Sequence, residues 1–287
     1  MDGYADVATI ARPTGDVPDA VALVPGKLWL LGASIPLDGR ISWVPADATG
    51  WQPVNTYLLK DAGGALVIDP GIYIHHEIVG EQLERLVPRG SDVSIYLTRA
   101  EPDVSGNLGE IASRFHVAHF YCGGGPNPFD AFEAVGSIDQ QNRGTRVQME
   151  RTPLGYEVPV GGDRGVEIMR PIIRLLATYW GYDRQTRTLF TSDSFGHNLQ
   201  DAPGDSRLLR ESNAHPVDPR AVKAHLLAKF GWLAHARTRS ILNNLRELRK
   251  DRVVDRIAPG RGLVIEGAGR VREELDVMEQ VLEELAA

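Results

Sequence analysis

Arg99, Glu101 and Asp103 place three charged side chains at alternate positions of a short polar stretch. In an extended turn, alternate side chains point to one side, so these groups would face a common space. The stretch follows residues 93–97, whose β-branched and aromatic residues predict a buried strand. Carboxylates at the end of such a strand could act as general bases, and an arginine could bind an anion. The alternative interpretation is a solvated loop with a surface ion pair.

The turn resembles the metal-binding signature of the metallo-β-lactamase superfamily. The residues that carry the resemblance are Leu97, Thr98, Glu101, Pro102, Asp103, Ser105, Gly106 and Asn107. One branch contains the flavodiiron oxygen and nitric oxide reductases and related oxygen-binding di-iron proteins, and its signature is His-x-Glu-x-Asp-His-Ser-Gly. Glu101 and Asp103 match that branch. Arg99 stands at the position of the first His, and Val104 at the position of the last.

Three further segments extend the resemblance over nearly the whole chain from about residue 25. Residues 55–59 and 68–71 resemble the second and third strands of the superfamily, in which an Asp-x-Gly turn supports the site. Residues 189–193 resemble the strand whose aspartate bridges the two metals. Residues 254–262 resemble the last ligand segment, with Arg261 at its His position.

The resemblance implies an α/β fold, a four-layer αββα metallo-β-lactamase-like sandwich in a single domain over residues 25–287. Residues 1–24, rich in Pro, Gly and Asp, are expected to form an N-terminal arm. The hydrophobic periodicity predicts two batches of strands, each followed by helices. Strands or hairpins are predicted at residues 27–35, 54–69, 93–97, 117–121, 156–168 and 172–191. Helices are predicted at residues 74–86, 107–115, 221–230, 238–248 and 269–285.

In the di-iron branch, six side chains hold the metals. By resemblance their positions are filled here by Arg99, Glu101, Asp103, Arg174, Asp193 and Arg261. The position counted back to Arg174 leaves Arg170 as an alternative. A guanidinium has no lone pair to donate and stays protonated in proteins, so arginine cannot ligate iron or zinc. Three arginines beside three carboxylates would instead neutralise one another through bidentate hydrogen bonds.

We therefore expect an Arg/carboxylate cluster in place of the di-metal centre, with no metal or other cofactor. The alternative is iron or another divalent metal held by Glu101, Asp103 and Asp193, because hard cations accept oxygen ligands. His197 could join such a site. The remaining histidines lie outside the motifs and are expected to be surface or core residues.

The expected function is a metal-independent enzyme, a hydrolase, lyase or oxidoreductase, acting on an anionic or oxygen-rich small molecule. Glu101 or Asp103 would act as general base and the arginines would bind the anion. Tyr179, Trp180 and His197 are the candidates for contacting the substrate. One alternative is a catalytically inactive scaffold or regulatory partner of an active paralogue. Another is a di-iron oxygen-handling oxidoreductase or a metallo-hydrolase with atypical ligands.

Composition limits the partners. The net charge of −7 provides no basic excess for a nucleic-acid backbone. No apolar run approaches the roughly 20 residues that span a bilayer, and no secretory signal is evident, so a cytoplasmic protein without a membrane partner is expected. The single cysteine, Cys122, excludes an internal disulfide. A small-molecule substrate is the expected partner, with a homo-oligomer or pairing with a paralogue as the expected assembly.

Overall fold

The structure is a computed structural model that describes residues 17–125, 127–128, 147–213 and 215–286. Within these residues, two β-sheets of seven strands each pack face to face. The first sheet contains β1 Val21–Val24, β2 Leu28–Pro36, β3 Trp51–Asp61, β4 Gly64–Ile68, β5 Asp92–Leu97, β6 His116–Cys122 and β7 Met149–Arg151. The second contains β8 Glu157–Gly161, β9 Arg164–Met169, β10 Trp180–Asp183, β11 Thr188–Ser192, β12 Leu208–Leu209, β13 Arg256–Pro259 and β14 Val264–Glu266.

Helices cover the outer faces of the two sheets. They are α1 His76–Leu86, α2 Pro102–Ser105, α3 Leu108–Arg114, α4 Pro219–Lys229, α5 Arg239–Asp251 and α6 Ala268–Ala286. Buried side chains of α1 and α3 pack with the first sheet, and those of α4, α5 and α6 pack with the second. None of the helices in the described ranges has both the length and the apolar composition needed to cross a bilayer.

The strands of the first sheet follow one another in chain order. Strands β1 to β4 are antiparallel, and β3 joins β4 through Ala62 and Gly63, which both have positive φ (41° and 83°), as a tight hairpin requires. Strands β4 to β7 are parallel. The carboxyl ends of β4 and β5 therefore lie side by side at one edge, with α1 in the connection between them.

The second sheet has the order β12-β14-β13-β11-β10-β9-β8. Strands β11 and β13 run parallel, with Thr188 opposite Arg256 and Phe190 opposite Ala258. Their carboxyl ends also lie side by side. Between the two sheets, buried side chains from both of them form one apolar core, including Tyr57, Tyr96 and Phe190.

The predicted αββα sandwich is confirmed. Strands β7, β12, β13 and β14 were not predicted from the sequence. Of the strands that were predicted, the hairpin at residues 172–191 is the exception, because only its second half forms strands. Strand β10 begins at Trp180 and pairs with β9, whereas residues 174–177 are exposed and lie outside any strand. At the other end, residues 21–24 of the predicted arm form the edge strand β1, and residues 1–16 lie outside the described residues.

Candidate functional site

The candidate site lies where four parallel strands of the two sheets end. Asp69 follows β4 and Arg99 follows β5 in the first sheet. Asp193 follows β11 and Arg261 follows β13 in the second. Because the sheets pack against each other, residues far apart in sequence meet at this common edge, the usual location of sites in parallel sheets.

Arg99 lies at the centre of the site and uses both terminal nitrogens. Its Nη1 donates to Glu101 Oε2 at 2.8 Å and to Asp103 Oδ1 at 3.0 Å, and its Nη2 donates to Asp103 Oδ2 at 2.7 Å. Nη2 also lies 2.9 Å from Asp193 Oδ1 on the other sheet. Helix α2 begins at Pro102, and this turn brings Asp103 back under Arg99 for a bidentate pair.

Asp193 is surrounded by three cations. Besides Arg99, it accepts a hydrogen bond from Arg261 Nη1 at 2.8 Å and lies 3.2 Å from Lys229 Nζ at the end of α4. Arg261 Nη2 also pairs with Asp103. We call the set of Arg99, Glu101, Asp103, Asp193, Lys229 and Arg261 the ion-pair cluster. Its three cationic and three anionic side chains balance in charge.

The inner part of the ion-pair cluster is shielded from solvent. Arg99 and Arg261 are each 4% exposed. The Arg261 guanidinium lies over the ring of Trp43, 4.1 Å from its centroid, in a cation–π contact. Burial lowers the pKa of Arg261, and the adjacent charge of Arg99 lowers it further. The guanidinium nevertheless stays charged, because it pairs with the carboxylates of Asp103 and Asp193 and arginine does not deprotonate in proteins.

The outer part of the ion-pair cluster reaches solvent at its two carboxylates from the first turn. The side chains of Glu101 and Asp103 are 25% and 20% exposed, against 7% for Asp193. Five surface cavities in the described part of the chain are lined by other residues, and none of them by a member of the ion-pair cluster.

Asp69 supports the ion-pair cluster from below. Its backbone has a φ of +50°, which an aspartate tolerates better than most residues. Its carboxylate accepts hydrogen bonds from Thr98 N at 2.8 Å and Thr98 Oγ1 at 2.7 Å, and Ser192 Oγ lies 2.8 Å from the same hydroxyl. Burial raises the pKa of Asp69 to about 6, against the lowering effect of the Thr98 hydrogen bonds. These contacts fix the start of the turn that carries Arg99.

The structure brings together five of the predicted site residues but not the sixth. Arg99, Glu101, Asp103, Asp193 and Arg261 meet in the ion-pair cluster.

Neither Arg174 nor its alternative Arg170 reaches the ion-pair cluster. Both side chains are exposed and form no ion pair with a described residue, because they lie in the irregular segment before β10. Lys229 contributes the third cation instead.

Two of the three residues predicted to contact the substrate instead contact other side chains of the protein. Trp180 is 1% exposed and packs in the core near Phe195, so it lines no pocket wall. His197 Nε2 lies 2.8 Å from Glu274 Oε2 on α6, an ion-pair partner that the motifs do not indicate. Tyr179 is half-buried and lines a surface cleft.

Lys229 and Trp43 were missed by the sequence interpretation. Lys229 ends a helix whose buried residues are Val222, His225 and Leu226, and Trp43 lies in the loop between β2 and β3. Neither belongs to a motif. The only sequence signal is indirect: removal of metal ions leaves carboxylates that need additional cations.

The described residues contain no group of three or more His, Cys, Asp or Glu side chains arranged to hold a metal ion. Cys122 is buried and donates to the Gly124 carbonyl oxygen, and burial raises the pKa of its thiol to about 11. A thiol of that pKa is a poor metal ligand or nucleophile near neutral pH.

Comparison with known proteins gives matches among solved structures. A rubredoxin oxygen:oxidoreductase from Desulfovibrio gigas superimposes with a TM-score of 0.67 at 13% identity, over 92% of this chain and 62% of that chain. A flavodiiron protein from Giardia intestinalis gives 0.61 at 15% identity, over 94% and 59%. The metal-soaked flavodiiron core of a Synechocystis protein gives 0.64 at 16% identity, over 93% and 62%.

This chain therefore spans about three fifths of the length of each of these structures. No protein-family model and no curated protein matches it. At these identities the likeness concerns the fold alone, and it agrees with the resemblance carried by the sequence motifs. The chain has the metallo-β-lactamase-like fold of the flavodiiron core.

Proposed function

We propose that the ion-pair cluster takes the place of a di-metal centre and that this protein works without a metal at this site. The proposal depends on the chemistry of the donors. Two positions that hold imidazoles in the di-iron branch hold guanidinium groups here, and these cannot donate an electron pair to a metal. The carboxylates that would remain as ligands already accept hydrogen bonds from Arg99 and Arg261. The residues present therefore do not fit iron or another divalent metal.

Replacing metal ions with cationic side chains keeps the charge of the site balanced. Buried carboxylates without metal or partner would cost several kcal/mol per charge. Arg99, Arg261 and Lys229 supply the positive charge from within the chain, each within 3.2 Å of Asp193. All six charged groups of the ion-pair cluster are engaged with one another, and this observation carries the proposal.

A closed, charge-balanced cluster favours a structural role over catalysis at this edge of the sheets. We propose that the protein is a metal-independent binding protein of the scaffold or regulatory class, in which the ion-pair cluster stabilises the sandwich. The dioxygen reaction named for the Desulfovibrio protein is not proposed for this chain, because its donor set does not fit iron.

A second candidate is a metal-independent enzyme that uses Glu101 as a general base. Glu101 Oε2 accepts from Arg99, whereas Oε1 forms no ion pair or hydrogen bond with a described residue, and the side chain is 25% exposed. A carboxylate oxygen that reaches solvent can accept a proton from a small molecule. Turnover that the Glu101→Gln variant abolishes would favour this candidate over a binding protein.

The test of the proposal is the metal content of the purified protein. The chain is expressed without a tag, with iron, manganese and zinc added to the medium, and analysed for metals beside an Arg99→His/Arg261→His variant. We expect the unmodified protein to contain far less than one equivalent of each metal. One or more equivalents of iron, manganese or zinc in the unmodified protein would refute the replacement. The variant shows whether restored imidazoles raise metal uptake above that background.

A further inference from the structure

A surface cleft of about 670 Å³ lies beside the turn that carries the ion-pair cluster. Tyr179 lines it, and the backbone N–H of Tyr179 donates to the carbonyl oxygen of Thr98, directly before Arg99, at 2.8 Å. The ring of Tyr179 covers Gly123, where a Cβ atom would lie only 2.1 Å from that ring. The volume is in the range of sites for small molecules.

Three arginines line this cleft: Arg151, Arg170 and Arg174. All three are exposed, and within the described ranges none of them forms an ion pair. Arg151 Nη2 donates to the carbonyl oxygen of Gly125 at 3.3 Å, which leaves its charge without a carboxylate partner among those residues. The cleft is therefore cationic, in contrast to the balanced ion-pair cluster.

The rest of the cleft wall is suited to a flat apolar group with a few hydrogen-bonding atoms. Trp232 is 40% exposed and Leu154 is 45% exposed, although both are large apolar side chains. The hydroxyl of Thr152 is buried and has no hydrogen-bond partner among the described residues. Asn244 adds an amide to the same wall. Aromatic and aliphatic surfaces beside a few polar groups are typical of ligand sites.

We propose that this cleft binds a small molecule with an anionic head, a carboxylate or a phosphate monoester, attached to a flat apolar body. The arginines bind the head through paired N–H groups, whose geometry matches carboxylate and phosphate oxygens. The body packs on Trp232 and Tyr179. This inference rests on the proposed function as a metal-independent binding protein, and it locates the ligand beside the ion-pair cluster, not on it.

Leu175 and Leu176 follow Arg174 and are 52% and 58% exposed. Exposed leucines beside arginines also occur on surfaces that bind anionic lipid. The concave shape of the cleft, its volume and the partly exposed Trp232 ring favour a single small molecule over a bilayer. Lipid vesicles are therefore included in the experiment as the competing outcome.

The experiment is calorimetric titration of the full chain with 1-naphthyl phosphate as the probe. Naphthalenemethanol supplies the same body without charge, and inorganic phosphate supplies the head without a body. The test variants are Arg170→Gln and Arg174→Gln. The control is Arg220→Gln, because the Arg220 side chain is 97% exposed and lines none of the five cavities described above. These arginines are exposed, so the variants are expected to fold.

We expect naphthyl phosphate to bind and each test variant to weaken it by about tenfold, the loss expected for a charge-assisted hydrogen bond. The Arg220→Gln control should leave the affinity for the probe unchanged. Naphthalenemethanol should bind to the unmodified protein no more tightly than the probe binds to the test variants. Added salt should weaken binding of the probe.

Equal affinity in the test variants and the control, or no binding of the probe at millimolar concentration, would overturn the proposal. Binding to anionic phosphatidylglycerol vesicles without binding of the soluble probe would also overturn it. Because none of these measurements depends on metal content, failure here is distinguishable from failure of the metal-independent assignment.

Discussion

Replacing Asp193 by alanine is the most direct perturbation of the ion-pair cluster. The carboxylate of Asp193 is 7% exposed and faces Arg99, Arg261 and Lys229 at 2.9, 2.8 and 3.2 Å. Without it, the three cations face only the two carboxylates of the first turn, so one positive charge is left without compensation in a largely buried site. Removing one partner of a buried pair costs about 3–5 kcal/mol, because the remaining charge stays desolvated.

The expected loss is large enough to distinguish this site from a surface ion pair. A surface pair would contribute about 0–1 kcal/mol. At roughly 2–4 °C per kcal/mol for a chain of a few hundred residues, Asp193→Ala should lower the melting temperature by about 6–20 °C. Thermal unfolding followed by circular dichroism measures this shift. Asp201→Ala is the matched control, because Asp201 is exposed and forms no ion pair with a described residue.

A double variant tests the electrostatic reason. Asp193→Ala combined with Lys229→Met removes a negative and a positive charge together, so the balance of the ion-pair cluster is restored. We expect the double variant to be more stable than the sum of the two single losses predicts, by at least about 1 kcal/mol. A melting temperature of Asp193→Ala equal to that of the Asp201→Ala control, or additive losses in the double variant, would refute the reasoning.

Two further predictions concern the groups next to the ion-pair cluster. Trp43→Leu should destabilise the protein by about 1 kcal/mol more than Trp43→Phe in urea unfolding, because a phenyl ring keeps part of the cation–π contact with Arg261; equal losses would contradict this. Because burial raises the pKa of Asp69 from 3.8 to about 6, the stability it contributes is fully present below pH 3.8 and is lost as the pH rises through 6. The unfolding free energy of wild type minus that of Asp69→Asn should therefore fall by about 2 kcal/mol between pH 4 and 7, and a difference independent of pH would show that Asp69 is not perturbed.

The sequence was sufficient for the fold and for much of the site, because both depend on local patterns. The β-rich run before Thr98 is a contiguous stretch of the chain, and so is the Asp-x-Gly turn after β4. Within each stretch the backbone is short, so the spacing in sequence determines the positions in space. Arg99 and Arg261 could be placed because each lies within an otherwise intact motif.

The sequence could not supply what depends on packing between distant segments. Lys229 reaches Asp193 because α4 ends at the edge of the second sheet, and nothing in the residues around Lys229 indicates that position. Arg174 was assigned to the site by counting residues back from Asp193 with the spacing that the resemblance implies. Residues 170–179 form an irregular segment that includes Pro171, which lacks an N–H for a sheet, and the exposed residues 174–177, so counting along the chain did not give the position in space.

The charges of the ion-pair cluster are also divided unequally between the two halves of the chain. The half with the first sheet contributes Arg99, Glu101 and Asp103, which together have an excess of one negative charge. The half with the second sheet contributes Asp193, Lys229 and Arg261, with an excess of one positive charge. Each half alone would bury an imbalance at this edge, and only their correct docking cancels it. The same six side chains therefore favour one relative position of the two sheets, since a shifted packing would bring like charges together.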